Sequence, residues 1–233
     1  MLKITWLGQG GYLLFDGKTT LCIDPYLSDS VFKASGKVRL IDPPIKPEEL
    51  ECDVMVCTHN HLDHVDPDTI SVMKSRNTAL FLAPCDCEEK MRSLGVVNYE
   101  KFDEGAIRRV GDFELEAVFA DHTSKSAIGV VIRHSGLTLL VTGDTFYNDR
   151  LREYKKFEVD VLFICINGKL GNMNVDEAVR LTGEIGAKVG VPTHYGMFAV
   201  NTEDPEKYTS RVKPSFEMKV GREYDVAEIA RTK

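Results

Sequence analysis

Three imidazoles and a carboxylate fall within six residues in the run Thr58-His59-Asn60-His61-Leu62-Asp63-His64. It follows the apolar, β-branched stretch Val54 to Cys57, so the cluster stands where a strand ends. In extended chain His59 and His61 point to one side, because side chains alternate with a period of two, while Asp63 and His64 turn with the chain toward the same spot. Neutral imidazole and carboxylate are ligands for divalent cations, and a run this dense has room for two. The chemistry such a centre supports is hydrolysis, since a bound cation lowers the pKa of water from about 15.7 toward neutrality and polarises the bond under attack. Asp63 belongs to the cluster and is within reach of that water, which makes it the candidate to orient the nucleophile and handle its proton.

Only six histidines occur in the chain, so the other three can be placed individually. His122 ends the run Phe113 to Ala120, and His194 follows Val189 to Val191 in Pro192-Thr193-His194-Tyr195-Gly196. Asp144 ends Leu137 to Thr142 in Thr-Gly-Asp-Thr. Each stands where a strand gives way to a loop, so one sheet edge brings them together as outlying ligands. His134, in a hairpin-like Arg-His-Ser-Gly, reads as a surface residue. Tyr195, beside His194, is a candidate donor to a developing oxyanion.

These residues resemble the metallo-β-lactamase superfamily over nearly the whole chain. The resemblance implies an α+β fold, a four-layer αββα sandwich with the metals at one edge of its sheets. It implies that His59, His61 and His122 bind one metal, that Asp63, His64 and His194 bind a second, and that Asp144 bridges. Asp24, in Ile23-Asp24-Pro25-Tyr26, matches an acidic residue that supports ligand histidines from behind. Around His122 the pattern leaves Asp121 open as a ligand beside or instead of it. A narrower likeness is to the L-ascorbate-6-phosphate lactonase group, through Ile23 to Ser28, Asp42-Pro43-Pro44-Ile45, Thr58 to Asp66, Thr142 to Thr145, Ile166 to Asn174 and Pro192 to Phe198. It implies a lactonase acting on a phosphorylated sugar-acid lactone, with one or two divalent ions, manganese or zinc. In the glycine-rich Ile166 to Asn174 stretch, Asn167, Lys169, Asn172 and Asn174 are candidate contacts to an anionic or polyhydroxylated substrate. Lys169, Arg39 and Lys37 are candidate cations for its phosphate. A phosphodiesterase or nuclease, a glyoxalase-type thioesterase and a metal-binding sensor without turnover remain the alternatives.

The elements that must position these residues can be read from the same 233 residues. Strand-like runs at Lys3 to Leu7, Tyr12 to Phe15, Thr20 to Ile23, Val54 to Cys57, Ala79 to Ala83, Phe113 to Ala120, Gly129 to Ile132, Leu137 to Thr142, Val161 to Ile166 and Val189 to Val191 come first as hairpins. Later they alternate with helical patterns at Pro67 to Ser75, Glu88 to Leu94, Val175 to Ile185 and Pro205 to Val212. No linker or repeat divides them, so one domain over residues 1–233 is expected. The longest irregular stretch, Ser28 to Glu49, is a candidate substrate lip.

A formal net charge of -7 disfavours nucleic acid and anionic membranes as partners, and a small anionic substrate is what the lactonase likeness implies. No apolar run approaches the ~18 residues that cross a bilayer, and Met1 to Leu7 carries no signal pattern, so the cytoplasm is the expected location. Six cysteines without a CxxC pair read as reduced, mostly buried thiols. The sequence offers no reading of the oligomeric state.

Overall fold

The computed structural model describes residues 1–233. Its strands are β1 (Lys3–Gly8), β2 (Gly11–Phe15), β3 (Thr20–Ile23), β4 (Val54–Val56), β5 (Leu80–Ala83), β6 (Tyr99–Lys101), β7 (Ile107–Val110), β8 (Phe113–Phe119), β9 (Ile128–His134), β10 (Leu137–Val141), β11 (Val161–Cys165), β12 (Val189–Thr193) and β13 (Glu223–Asp225). The helices are α1 (Ser30–Ser35), α2 (Pro67–Val72), α3 (Glu88–Ser93), α4 (Val175–Ile185), α5 (Glu206–Thr209) and α6 (Val226–Ile229).

The strands form two sheets, in the orders β13-β1-β2-β3-β4-β5-β6 and β12-β11-β10-β9-β8-β7. Tyr12, Leu14, Leu21 and Ile23 of the first sheet pack with Leu115, Val130, Ile132, Leu140 and Phe163 of the second in one core cluster of 45 buried residues. Ala178, Leu181 and Ile185 of α4 join that cluster at 3–4 residue spacing, so α4 covers the second sheet. Ile70 and Met91, from α2 and α3, pack with Met55 and Phe81 on the opposite face of the first sheet. Helices thus flank two face-to-face sheets, the αββα arrangement of the metallo-β-lactamase fold.

Pairing direction decides where the functional side chains go. Strands β3 to β6 run parallel, as do β10 to β12. The C-terminal ends of β3, β4, β8, β10 and β12 therefore open at one edge, where a layered α/β sheet leaves room for ligands. Local sequence starts α2 and α4 well. Asp66 caps α2 by accepting from the Asp68 amide, with Pro67 at its first position. Asn174 and Glu177 close a reciprocal capping box on α4, which spans the residues its periodicity predicts.

Several expectations need correction. The helix expected over Pro205 to Val212 shrinks to Glu206–Thr209. Strand β7 escapes the pattern because it is an exposed edge strand with the sequence Ile-Arg-Arg-Val. The Ser28 to Glu49 stretch is not irregular throughout, since it contains α1 and a 3-10 turn at Pro47–Glu49.

His134 is a buried residue rather than a surface one. Its Nε2 lies 3.2 Å from Asp16 Oδ2, and Asp16 Oδ1 accepts from the Lys18 and Thr19 amides. The turn between β2 and β3 is thereby tied to the end of β9, joining the sheets at the end remote from the ligand edge. Burial opposes ionisation of Asp16, but the Thr19 and Lys18 amides and the His134 ring together hold its carboxyl below the usual value. Such a group stabilises fully above its unfolded pKa, and that stabilisation is lost as pH falls through the depressed folded value. Asp16→Ala is expected to cost about 2 kcal/mol at pH 7. The gap should narrow in strong acid, and urea unfolding at both pH values measures it.

Five of the six cysteines are buried, Cys85 is exposed, and none is in a disulfide. No helix is long and apolar enough to cross a membrane.

Candidate metal centre

The loop after β4 carries His59, His61, Asp63 and His64, and its foundation is Asp24 at the end of β3. Asp24 is fully buried and accepts three short hydrogen bonds. Thr58 gives it the amide at 2.7 Å and the hydroxyl at 2.6 Å, and His64 Nδ1 donates at 2.7 Å. Because the Thr58 proton is committed to Asp24, its Oγ1 accepts from His59 Nδ1, 3.1 Å away. His122 Nδ1, in turn, donates to the Gly171 carbonyl at 2.9 Å. Each of these rings spends Nδ1–H on a partner and turns the Nε2 lone pair to the centre, the arrangement that fixes a ligand tautomer.

Two groups of ligand atoms result. His61 Nδ1 lies 3.0 Å from His59 Nε2 and 3.2 Å from His122 Nε2, a nitrogen triad. Asp63, His64 and His194 form the second group, with Asp63 Oδ2 3.9 Å from the Nε2 atoms of both histidines. Asp144 stands between the groups. Its Oδ1 is 3.0 Å from His194 Nε2 and 3.5 Å from His64 Nε2, and its Oδ2 is 3.9 Å from His122 Nε2. His64 Nε2 and Asp144 Oδ1 are buried yet make no hydrogen bond of acceptable geometry. Orphaned lone-pair atoms converging at these distances fit divalent cations, and the donor set is all imidazole and carboxylate, without sulfur.

Electrostatics divide the centre. Burial holds His59 well below the ordinary histidine value, with His64 adding to the effect, and burial and His122 lower His61. These imidazoles are free bases at neutral pH. For His64 and His194 burial works the same way but is overcome by Asp144 foremost, with Asp24 and Asp63 also raising His64 and Asp63 also raising His194, so both are raised. Asp144 and Asp63 are correspondingly lowered against their own burial by the same two histidines. A cation entering the second group competes with protons for the same two rings.

The backbone is bent to make these contacts. Gln9, Asp24 and His194 all adopt positive φ, at 49°, 41° and 60°. Such conformations persist only where surrounding structure holds them, and here all three lie at the centre. Gly171 has a φ of 97°, and a Cβ there would stand 2.6 Å from the His122 ring. Only glycine lets that carbonyl approach the ligand so closely.

Gln9 went unread in the sequence. It is fully buried, its Nε2 donates to Asp63 Oδ2 at 2.9 Å and lies 3.3 Å from His194 Nε2, and its carbonyl accepts from the His194 amide at 3.2 Å. The sole signal was Gly8-Gln9-Gly10-Gly11, a polar residue inside a tight turn after a buried strand.

A cavity of about 580 Å³ opens over the centre. Val31, Ala34, Leu62, Leu170 and Phe198 line it together with Ser35, Lys37, Asn60, Lys90, Thr123 and Asn201. Asp63, Asp144, His61 and His194 reach it from the metal groups. Helix α1 and Lys37 thus bring the Ser28 to Glu49 segment to the cavity wall. Lys90 was also unread.

The remaining expected site residues lie elsewhere. Tyr195 packs its ring on Trp6 at 5.0 Å, and its buried hydroxyl lies outside the cavity lining. Arg39 donates to the carbonyls of Ile41, Ser28 and Tyr26 and stacks on the Tyr26 ring, so its guanidinium is spent on holding the loop. Asn167 donates to Asn201 Oδ1 at 2.6 Å and so stands behind a lining residue. Asn174 is the cap of α4, Asn172 is buried off the lining, and Lys169 is exposed with its Nζ 3.5 Å from the Val200 carbonyl. Asp121 accepts from Asn148 Nδ2 at 2.8 Å, and it is His122 that joins the ligand cluster.

Comparison with known proteins agrees with this fold. A UPF0173 metal-dependent hydrolase of Methanosarcina mazei is 28% identical over 231 residues, covering 94% of each chain. One of Archaeoglobus fulgidus is 29% identical over 228 residues, covering 91% of each. Among solved structures, the metallo hydrolase Igni18 of Ignicoccus hospitalis superimposes with a TM-score of 0.76 at 20% identity, over 96% of this chain and 98% of that one. An isothiocyanate hydrolase from Delia radicum gut bacteria gives 0.77 at 17%, over the same shares. Residues 19–195 match the family described as the Beta-lactamase superfamily domain. With its histidine and aspartate ligands at one edge of two facing sheets, the chain belongs to the metallo-β-lactamase superfamily, among metal-dependent hydrolases.

Proposed function

We propose that the protein is a lactonase, opening the ring ester of a small anionic sugar acid such as L-ascorbate 6-phosphate with the help of one or two divalent ions, manganese or zinc. The observation that carries this reading is the cavity over the ligand cluster, whose lining holds two lysines on an otherwise acidic chain. When bound, the cations would supply an acidified water and a polarised carbonyl at neutral pH. His59, His61 and His122 would hold one, Asp63, His64 and His194 the other, with Asp144 between them.

The chain's own groups do the rest. Asp63, held at Oδ2 by the Gln9 amide, orients the attacking water and takes its proton. Asn60, Thr123 and Asn201 offer neutral hydrogen bonds to ring hydroxyls, while Leu62 and Phe198 cover an apolar ring face and exclude bulk water.

The test is the rate of L-ascorbate-6-phosphate hydrolysis by protein reconstituted separately with manganese and zinc, with His61→Ala as the control. Turnover that needs metal and disappears in His61→Ala supports the proposal. Absence of lactone opening with both metals overturns it. Bis(4-nitrophenyl) phosphate, a thioester and benzyl isothiocyanate complete the panel, and turnover of one of these instead would reassign the reaction.

A further inference from the structure

The cavity lining carries four charged side chains besides its histidines: Asp63, Asp144, Lys37 and Lys90. Both carboxylates belong to the metal groups, where cations would neutralise them. The charge left for a substrate to meet is that of the two lysines. Neither makes an ion pair, unlike Lys33 just outside, whose Nζ contacts Asp68 at 2.7 Å. Lys90 is the better placed of the two. It is half-buried on α3, and its Nζ donates to the Asn60 carbonyl at 3.1 Å. Asn60 stands between His59 and His61, so this contact fixes the ammonium beside the metal centre. An ammonium has three donors, and one is used. Lys37 sits on the loop after α1 and has no such tether.

The Lys90 ammonium is thus held at the cavity wall by a neutral carbonyl, with no carboxylate to neutralise it. From its place in the cavity we infer that Lys90 is the anchor for the substrate's anionic group and sets the enzyme's preference for phosphorylated or carboxylated substrates. This deepens the reading of an anionic substrate given above and rests on it for the reaction but not for the binding. The competing explanation is mechanical, with Lys90 bracing Asn60 and hence the ligand loop.

The experiment compares zinc-loaded wild type, Lys90→Met and Lys90→Arg, with metal content measured for each. Dissociation constants are determined calorimetrically for D-ribose 5-phosphate and D-ribose, which differ in the phosphate alone. Wild type should prefer the phosphate by about tenfold or more, the scale of a hydrogen bond to a charged group. Lys90→Met should abolish that preference with metal content unchanged, and Lys90→Arg should keep most of it. No preference in wild type, or the same preference in Lys90→Met, overturns the inference. Loss of metal with both ligands weakened equally overturns it too, in favour of the brace.

Because the readout is binding, it separates this inference from the proposed reaction. Phosphate capture through Lys90 without lactone opening would leave the anchor standing and sink the lactonase. Lactone opening whose KM is unmoved in Lys90→Met would do the reverse.

Discussion

Asp144→Asn is expected to lower hydrolysis on the order of a thousandfold or more, and to reduce the metal bound per chain, while leaving the fold in place. Asp144 is the one carboxylate that reaches both ligand groups, through Oδ1 toward His64 and His194 and through Oδ2 toward His122. Asparagine keeps the shape but removes the charge and offers one oxygen instead of two. The fold should survive because Asp144 follows β10 at the sheet edge, and its neighbours are the ligands rather than the 45-residue core. Metal analysis and the rate on the best substrate of the panel are the measurements. Unchanged metal content with unchanged rate would remove Asp144 from the centre.

The second large effect is expected at a residue that touches no cation. Asp24→Asn should weaken metal binding about 10- to 100-fold, the usual cost of losing a group that orients a ligand. It should also destabilise the metal-free protein by about 3 kcal/mol, because a buried charged acceptor for three donors is replaced. Asp24 holds the Thr58 amide, the Thr58 hydroxyl and His64 Nδ1 at once. An amide has a single oxygen to accept them, and its NH2 would face His64 Nδ1–H. The two readouts, a chelator competition and a urea curve on metal-free protein, should move together. A urea curve that moves alone would make Asp24 a structural residue only.

The clustering of these side chains was legible because its signal is local: a dense run of histidines after a buried strand, then His122, Asp144 and His194 each just past a strand. What the chain does in three dimensions beyond that was partly hidden. Tyr195 looked catalytic through its adjacency to His194, but its ring packs on Trp6, away from the cavity lining. Asn174 looked like a substrate contact, yet an asparagine between strand and helix is as well suited to capping, and it caps α4. Gln9 carried only its glycine-rich turn and Lys90 no pattern at all, because each becomes part of the site only through residues far along the chain. Gln9 needs Asp63 and His194, and Lys90 needs the carbonyl of Asn60. His134 was misread for the same reason, since the turn that buries it comes from the other sheet. The layered fold itself was readable from hairpins followed by alternating strands and helices. Its short edge strands β6, β7 and β13, lacking alternation or length, were not.

The Asp16–His134 contact has a mechanical side. It fastens the two sheets at the end remote from the ligands, while the ligands themselves are shared between the sheets at the opposite end, His59 to His64 from one and His122, Asp144 and His194 from the other. A cation in that cluster would therefore act as a clasp between the sheets at the end opposite that tie. Losing it would leave the Asp16–His134 tie and the shared core in place, so loosening is expected first in the loops at the ligand end.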